Sequence, residues 1–500
     1  MEKKHSLRPA LVRIGIAGIL LAVSAGILIF RQEPEVQEDG YDVTVVKATC
    51  TDPGYSLYTS RADGSIYVDD VIPAPGHSWS DWKTAEASAG VQPAVESRVC
   101  DVCGADEEQV LYPQLSLPVV ALEGDLTGIA KKKEVAVSAE FIGSDRNFTA
   151  YATLKHQGHE SLKYDKKNFT LKLYRDGDRD DKYKMTFSHW REEHKYILKA
   201  NYIDPSHCRN LVCADIWAEI AAERTSLPGE MKALSNYGAV DGFPVALYIN
   251  REFEGLYTWN LHKDDDLFGM EKGKAQAILI ANDDSAPEAF FREQAVFAGD
   301  SPWEVEFCGT EDSSWAKEKL NALIEFVRES SDETFRRELK DHLNVDSAID
   351  YYLSIYALGL TNHKAANLIL VCYGEDQPFT ASLFSMNSAF GLSEDGTKVL
   401  EPEEFLPGDA TGNLLWDRLA EIFRPEIEDR YAELRKTVFE PESLCRRVTE
   451  YTSAIPQTLT EADAAVYPHP NPEISHVEQI TRYIARRIEL LDSHFLTGES

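Results

Sequence analysis

Cysteine is scarce in this 500-residue chain: eight thiols are scattered at Cys50, Cys100, Cys103, Cys208, Cys213, Cys308, Cys372 and Cys445, with one close pair. That is too few for a disulfide scaffold, so core stability must come from packing. Positive charge is short as well, with 51 Lys and Arg against 84 Asp and Glu, a formal net charge of −33. Such a surface repels nucleic-acid phosphates instead of releasing their counterions, which argues against a nucleic-acid partner. With 43% hydrophobic, 27% charged and 10% aromatic residues, neither a disordered nor a collagen-like chain fits, and the length suggests about two or three domains. No Gly-x-Ser-x-Gly, His-Glu-x-x-His, Walker-type or dinucleotide fingerprint stands out, and Asp180-Asp181 and Asp264-Asp265-Asp266 lack the spacing of a calcium loop.

What is present begins at the N-terminus. Lys3, Lys4, Arg8 and Arg13 precede the uncharged run Ile14 to Phe30, seventeen residues that as a helix extend about 26 Å, close to a bilayer core. Positive charge before the run and the acidic stretch Glu33 to Asp39 after it place the remainder outside the cell membrane, as a single-pass protein. Val23-Ser24-Ala25 offers a cleavage site that would give a secreted chain, but the apolar run continues past it, so an uncleaved anchor is preferred. Residues 1–40 are therefore read as anchor and linker.

Residues 41–112 are short β-type runs separated by Gly, Pro and Asp, read as a small β-rich module. Ser60-Arg-Ala-Asp63-Gly64 stands forty positions before Cys100-Asp-Val-Cys103-Gly104, which suggests two degenerate copies of one unit. Four candidate zinc ligands survive, Cys50 and His77 from the first part and Cys100 and Cys103 from the second. A vestigial site or a free thiol pair is the preferred reading, with bound zinc as the alternative. The Cys-x-x-Cys-Gly and Gly-His units resemble repeats of bacterial surface proteins, which suggests a spacer or adhesion role.

Residues 113–500 change character. Val135, Val137, Ala139 and Phe141 alternate, as do Phe169, Leu171 and Leu173, so both segments read as half-buried strands. Val245 to Ile249 and Gly255 to Asn260 flank a turn at Asn250-Arg251 and read as a hairpin. Leu211 to Ala222 reads as a helix, and after Ser314 helical periodicity prevails, ending in the stripe Val477, Ile480, Ile484, Ile488 and Leu491. A second hairpin, Asn367 to Tyr373 and Phe379 to Phe384, interrupts the helices. Strands first and helices second argue for an α+β domain of two lobes with a cleft between them.

Four segments carry a resemblance: Lys166 to Tyr174, Lys195 to Asn210, Tyr237 to Pro244 with its hairpin, and Gly359 to Asn367. They resemble the CotH family, the spore-coat-protein-H-type kinases, from about residue 115 to the C-terminus. The resemblance implies an atypical protein-kinase-like fold, and transfer of phosphate from ATP with Mg²⁺ to serines of secreted or coat proteins. It places Lys172 first, then Lys199 and Arg209, near the phosphates, with Lys166 and Lys167 as further basic residues that solvation explains equally well. It places Phe379 against adenine, with Tyr257 and Trp259 of the earlier hairpin as the opposite wall.

The family pattern resembles Asp-x-x-x-x-Asn before the second hairpin and Tyr-Asp-x-Asp-Ser/Thr-x-x-Gly after it. Here those places read Asn362-His-Lys-Ala-Ala-Asn367 and Phe384-Ser385-Met-Asn387-Ser388-Ala-Phe-Gly391. Three acids are missing. Asn362 stands at the position of the catalytic acid with Asn367 kept, and Ser385 and Asn387 stand at the metal positions. Mg²⁺ requires hard anionic oxygens, so neutral replacements weaken it severely, and an Asn does not accept the substrate proton as an Asp does. Glu375, Asp376, Glu394 and Asp395 are nearby acids that rescue the site only if they are not merely solvated. In the glycine loop Lys155-His-Gln-Gly158-His159-Glu160-Ser161, His159 and Glu160 are bulkier than the family's small residues. The resulting expectation is an extracytoplasmic pseudokinase that binds an exported protein partner and a nucleotide, with ATP and Mg²⁺ binding weakened. The alternatives are an active Mg-ATP-dependent serine kinase acting on exported proteins, and a non-catalytic cell-surface scaffold.

Overall fold

A computed structural model describes residues 36–38, 40–281, 290–297, 302–408, 411–469, 471, 474 and 476–496. The membrane segment expected at Ile14 to Phe30 lies outside the described residues, and among those described no helix is long and apolar enough to cross a membrane. The chain divides into two compact units, residues up to Ala87 with Ala94–Leu111, and Ser88–Pro93 with Tyr112 onward.

In the first unit, β1 (Val36–Glu38), β2 (Tyr41–Val46), β3 (Gly54–Ser60) and β4 (Ile66–Ile72) form one antiparallel sheet, and β5 (Lys83–Glu86), β6 (Ala94–Val99) and β7 (Asp106–Leu111) a second. The forty-residue repeat is visible in the backbone, since β3 and β4 start forty positions before β6 and β7. The two hairpin tips have the same turn. Gly64 N–H donates to the Ser60 carbonyl and Gly104 N–H to the Cys100 carbonyl, both at 2.9 Å, with glycine φ of 72° and 74°. A Cβ is costly at that φ, which is why glycine closes both tips.

The second unit is mixed α+β. Seven strands close a barrel: β8 (Val119–Glu123), β9 (Val135–Ile142), β10 (Asn147–Gln157), β11 (Asn168–Tyr174), β12 (Lys195–Lys199), β13 (Gly242–Ile249) and β14 (Glu252–Leu261), in the order β10-β11-β12-β14-β13-β8-β9. Every pairing is antiparallel except β13 with β8. Period-2 alternation sends Val137, Ala139 and Phe141, Phe169, Leu171 and Leu173, Tyr196 and Leu198, and Tyr257 and Trp259 into one apolar cluster. The other face of the same strands carries Asn168, Thr170 and Lys172, then Lys195, Ile197 and Lys199, then Thr258 and Asn260.

A second, antiparallel sheet has the order β16-β15-β17-β18, from β15 (Ala277–Ala281), β16 (Trp303–Cys308), β17 (Leu368–Cys372) and β18 (Thr380–Leu383). The expected second hairpin is thus β17 and β18 of a larger sheet. Strand β15 is buried at every residue, and a strand covered on both faces shows no alternation by which to recognise it. The helices follow: α1 (Arg209–Ala222), α2 (Gly229–Lys232), α3 (Ser314–Glu329), α4 (Asp332–Glu338), α5 (Val345–Ala357), α6 (Leu414–Ile422), α7 (Arg424–Leu434), α8 (Pro441–Ala454), α9 (Gln457–Val466) and α10 (Val477–Phe495). Helix α5 starts where the Asn344 side chain accepts from Ser347 N–H. On α10 the stripe Ile480, Ile484, Ile488 and Leu491 is buried in the helical core.

Candidate functional site

A cleft of about 600 Å³ opens over the outer face of the barrel. Its walls are the turn after β10 with Gly158, His159 and Glu160, Asn168 and Thr170 of β11, Lys195, Ile197 and Lys199 of β12, Asn260 of β14, and Glu304 and Glu306 of β16. Asn362, Asn367, Ser385, Asn387 and Glu394 complete it. The four positions that the resemblance singles out, Asn362, Asn367, Ser385 and Asn387, therefore meet in one place, 25 residues apart in sequence at most, because β17 and β18 bring the segments before and after them together.

The local geometry there is specific. Asn367 and Ser385 have φ of 56° and 59°, a left-handed conformation that costs free energy in a side-chain-bearing residue and clusters at functional sites. Ser385 Oγ donates to Asn387 Oδ1 at 3.2 Å. His363 is fully buried, with Nε2 2.9 Å from the Phe384 carbonyl and Nδ1 2.7 Å from Asn362 Oδ1. Burial pushes its pKa down to about 4, so at neutral pH it has one N–H, which the Phe384 carbonyl takes. Nδ1 is then an acceptor facing Asn362 Oδ1, a pairing of two acceptors that a 180° flip of the carboxamide turns into an N–H donation from Asn362. An aspartate at 362 has no proton to offer, so a neutral amide suits this neighbour.

The cleft lining holds more lysine than acid side chains, six lysines (131, 155, 166, 195, 199 and 263) against four glutamates. Several lysines are held by acids: Lys195 Nζ lies 3.0 Å from Asp264 Oδ2, and Lys263 Nζ 2.7 Å from Glu306 and 3.6 Å from Glu304. Burial alone would raise the Glu306 pKa, but Lys263 and the His262 ring overcome it and hold the carboxyl below its ordinary value. Lys199 Nζ reaches Asn210 Oδ1 at 3.3 Å, and the same oxygen accepts Met386 N–H at 2.9 Å, which couples β12 to the segment after β18. Asn260 is 1% exposed, and neither its Oδ1 nor its Nδ2 has a hydrogen-bond partner among the described residues. Asn201 Oδ1 beside it is likewise unpaired, while its Nδ2 donates to Thr258 at 3.1 Å. Buried polar atoms left without protein partners mark where a ligand or water must bond.

Gly158 has φ of 108°, and a Cβ there would stand 1.9 Å from Ser161 Oγ, so the turn requires glycine. His159 and Glu160 line the cleft beside it.

Of the other candidates, Lys166 and Glu394 line the cleft and the rest lie elsewhere. Lys172, expected nearest the phosphates, is on the correct face of β11 but further along the strand than Thr170; it does not line the cleft and gives its charge to Glu134 at 2.6 Å. Arg209 is fully buried, paired with Asp204 and donating to the Ala389 carbonyl at 2.7 Å, so it ties α1 to the segment after β18. Tyr257 and Trp259 point into the barrel, because the residues that share the cleft face are Thr258 and Asn260. Phe379 is fully buried in the helical core. Lys166 is 1% exposed and paired with Asp463 at 2.6 Å, and Lys167 donates to the Leu162 carbonyl at 2.9 Å, so neither is a solvated strand lysine. Among the four nearby acids, Glu394 reaches the cleft lining, whereas Glu375, Asp376 and Asp395 do not. The cleft also takes in Lys155, Lys195, Lys263, Glu304, Glu306 and Asn260, which no motif marks as ligand-binding. Asn260 and Lys195 were accessible from strand parity once the barrel's inner face was known.

In the first unit, Cys50, His77, Cys100 and Cys103 converge, their ligating atoms all within 4.8 Å of one another.

No curated protein matches the chain. The family model described as CotH kinase protein matches residues 154–491, from within β10 to within α10. That is more than half of the chain, and it takes in the whole cleft apart from Lys131; this protein belongs to the CotH kinase protein family.

Proposed function

We propose that the second unit is a two-lobed kinase-like domain whose cleft binds a nucleotide without the carboxylates that hold Mg²⁺, so that the protein works as a pseudokinase. One observation carries this reading: Asn362, Asn367, Ser385 and Asn387, the positions of the family's acid-and-metal motif, line one lysine-rich cleft and bring it no carboxylate. The excess of lysine favours a polyphosphate, and the unpaired amide of Asn260 offers both a donor and an acceptor to a bound ligand. Without anionic oxygens at 385 and 387, a hydrated Mg²⁺ gains little by entering, and Asn362 leaves no base for a substrate hydroxyl.

The second reading, an active kinase with relocated metal ligands, draws on Glu304, Glu306 and Glu394. Lys263 already neutralises the first two at 3.6 and 2.7 Å, which makes them counter-ions of the cation wall. The N-terminal charge pattern supports a membrane-anchored, extracytoplasmic placement, and an exported protein as the partner. ATP titration in EDTA tests the proposal. Saturable binding, weakened by Asn260→Leu and by Lys195→Ala, is expected; absence of nucleotide binding, or Mg-dependent phosphate transfer to serine, contradicts it.

A further inference from the structure

The first unit has too little apolar interior to explain its order. Among its described residues the buried apolar side chains are Val43, Cys50, Tyr58, Val95 and Cys100, and the hydrophobic clusters of the chain are built from residues outside it. A unit of this size with so small a core needs a covalent or metal staple. Two of those five buried side chains are thiols, and they face each other.

Cys50 lies between β2 and β3, His77 follows β4, and Cys100 and Cys103 flank the tip between β6 and β7, so both copies of the repeat contribute. Cys50 Sγ is 3.8 Å from Cys100 Sγ, and Cys103 Sγ is 3.3 Å from His77 Nδ1. A tetrahedral zinc, with Zn–S of about 2.3 Å and Zn–N of about 2.0–2.1 Å, has S···S edges of about 3.8 Å and S···N edges of about 3.5 Å. Those two edges match that tetrahedron, and all four ligating atoms lie within 4.8 Å of one another. A disulfide requires sulfurs about 2.0 Å apart, and a pair drawn from three thiols leaves one over.

We propose that Cys50, His77, Cys100 and Cys103 form a structural zinc site of the Cys₃His type that holds the two repeat copies together. Each thiol gives up its proton on binding, and His77 ligates through Nδ1 as the neutral ring. The equivalent tip of the first copy has Ser60 and Asp63 in place of cysteines. Its oxygens are engaged locally, with Ser65 Oγ donating to Asp63 at 2.7 Å and Ala62 N–H to Ser60 Oγ at 3.3 Å. The stoichiometry is therefore one metal per chain, not two.

The test uses the full chain, reduced, stripped of metal with a chelator and titrated with cobalt(II) chloride and then zinc(II) chloride. One equivalent of cobalt should give the thiolate charge-transfer and visible bands of a tetrahedral site, and one equivalent of zinc should bleach them. The bands should vanish in Cys100→Ser/Cys103→Ser and persist in Cys308→Ser/Cys445→Ser. The proposal is overturned if the reduced wild-type chain shows no thiolate band, or if the band survives in Cys100→Ser/Cys103→Ser. The wild-type spectrum decides the matter even if a variant misfolds.

Discussion

Asp463 on α9 and Lys166 before β11 are 297 positions apart, yet they close a buried ion pair. Asp463 Oδ1 accepts from Lys166 Nζ at 2.6 Å and from Leu256 N–H at 2.8 Å, and Oδ2 lies 3.4 Å from His207 Nε2. The ammonium, 1% exposed, also donates to the Leu256 carbonyl at 2.7 Å and faces the rings of Tyr257 and Tyr467 at 4.8 and 5.7 Å. The partners pull in opposite directions. Burial outweighs the carboxylate for Lys166 and lowers its pKa, whereas for Asp463 burial is overcome by Lys166 and His207, which hold it at about 2. Desolvation has thus consumed much of the attraction, and breaking the pair differs from replacing it. Asp463→Ala strands a buried ammonium and the Leu256 N–H, at a cost of about 3–5 kcal/mol. Lys166→Met/Asp463→Leu removes both charges and should recover more than half of that loss. Urea unfolding at pH 7 measures both. The pH dependence has a fixed sign: a carboxyl with a folded pKa near 2 against 3.8 unfolded stabilises fully above about pH 4, and that contribution, about 2 kcal/mol, is lost as pH falls toward 2. The double variant should lack this component. An Asp463→Ala cost below about 1 kcal/mol, or a double variant worse than the single one, refutes the reasoning.

Burial, with Asp266 and Asp264 nearby, raises the Glu193 pKa to about 10. A carboxyl protonated in the folded chain and ionised in the unfolded one above about pH 4.5 lowers stability as pH rises. Glu193→Gln should therefore raise the unfolding temperature at pH 8 and have little effect at pH 4; an equal shift at both contradicts the assignment. Asn362→Asp places an anion against His363 Nδ1, so the imidazole pKa should rise by about 1–3 units from its depressed value, which NMR titration of the ring protons reads; an unchanged titration contradicts the hydrogen-bond assignment at Asn362. Lys195→Ala, which deletes a charged donor from the cleft wall, should weaken ATP binding by about tenfold or more with no loss of far-UV circular dichroism, and equal affinity would remove Lys195 from the ligand's reach.

Much of the architecture was legible because alternation and helical stripes report burial directly. Val137, Ala139 and Phe141 on β9 and Ile480, Ile484 and Ile488 on α10 are buried as their spacing demands. The forty-residue repeat was legible too, since its turns depend on glycine. Residues with two equivalent uses were not. An aromatic that stacks on a base and one that fills a core have the same sequence signature, so Tyr257, Trp259 and Phe379 were placed at the cleft, where parity and burial exclude them. Lys172 had the correct parity, but strand pairing puts it opposite Lys195, and Lys195 is the one that lines the cleft. Ion pairs between distant segments, such as Lys166 with Asp463, have no local signal at all.

The central claim is a nucleotide cleft stripped of its metal site, and calorimetry of ATP binding with and without Mg²⁺ tests it most directly, on the wild-type chain beside Asn362→Asp/Ser385→Asp/Asn387→Asp. ATP should bind the wild type equally with and without Mg²⁺, and the triple variant should gain Mg²⁺ dependence. Equal, strong Mg²⁺ dependence in both would mean that other acids hold the ion, and would contradict the pseudokinase reading.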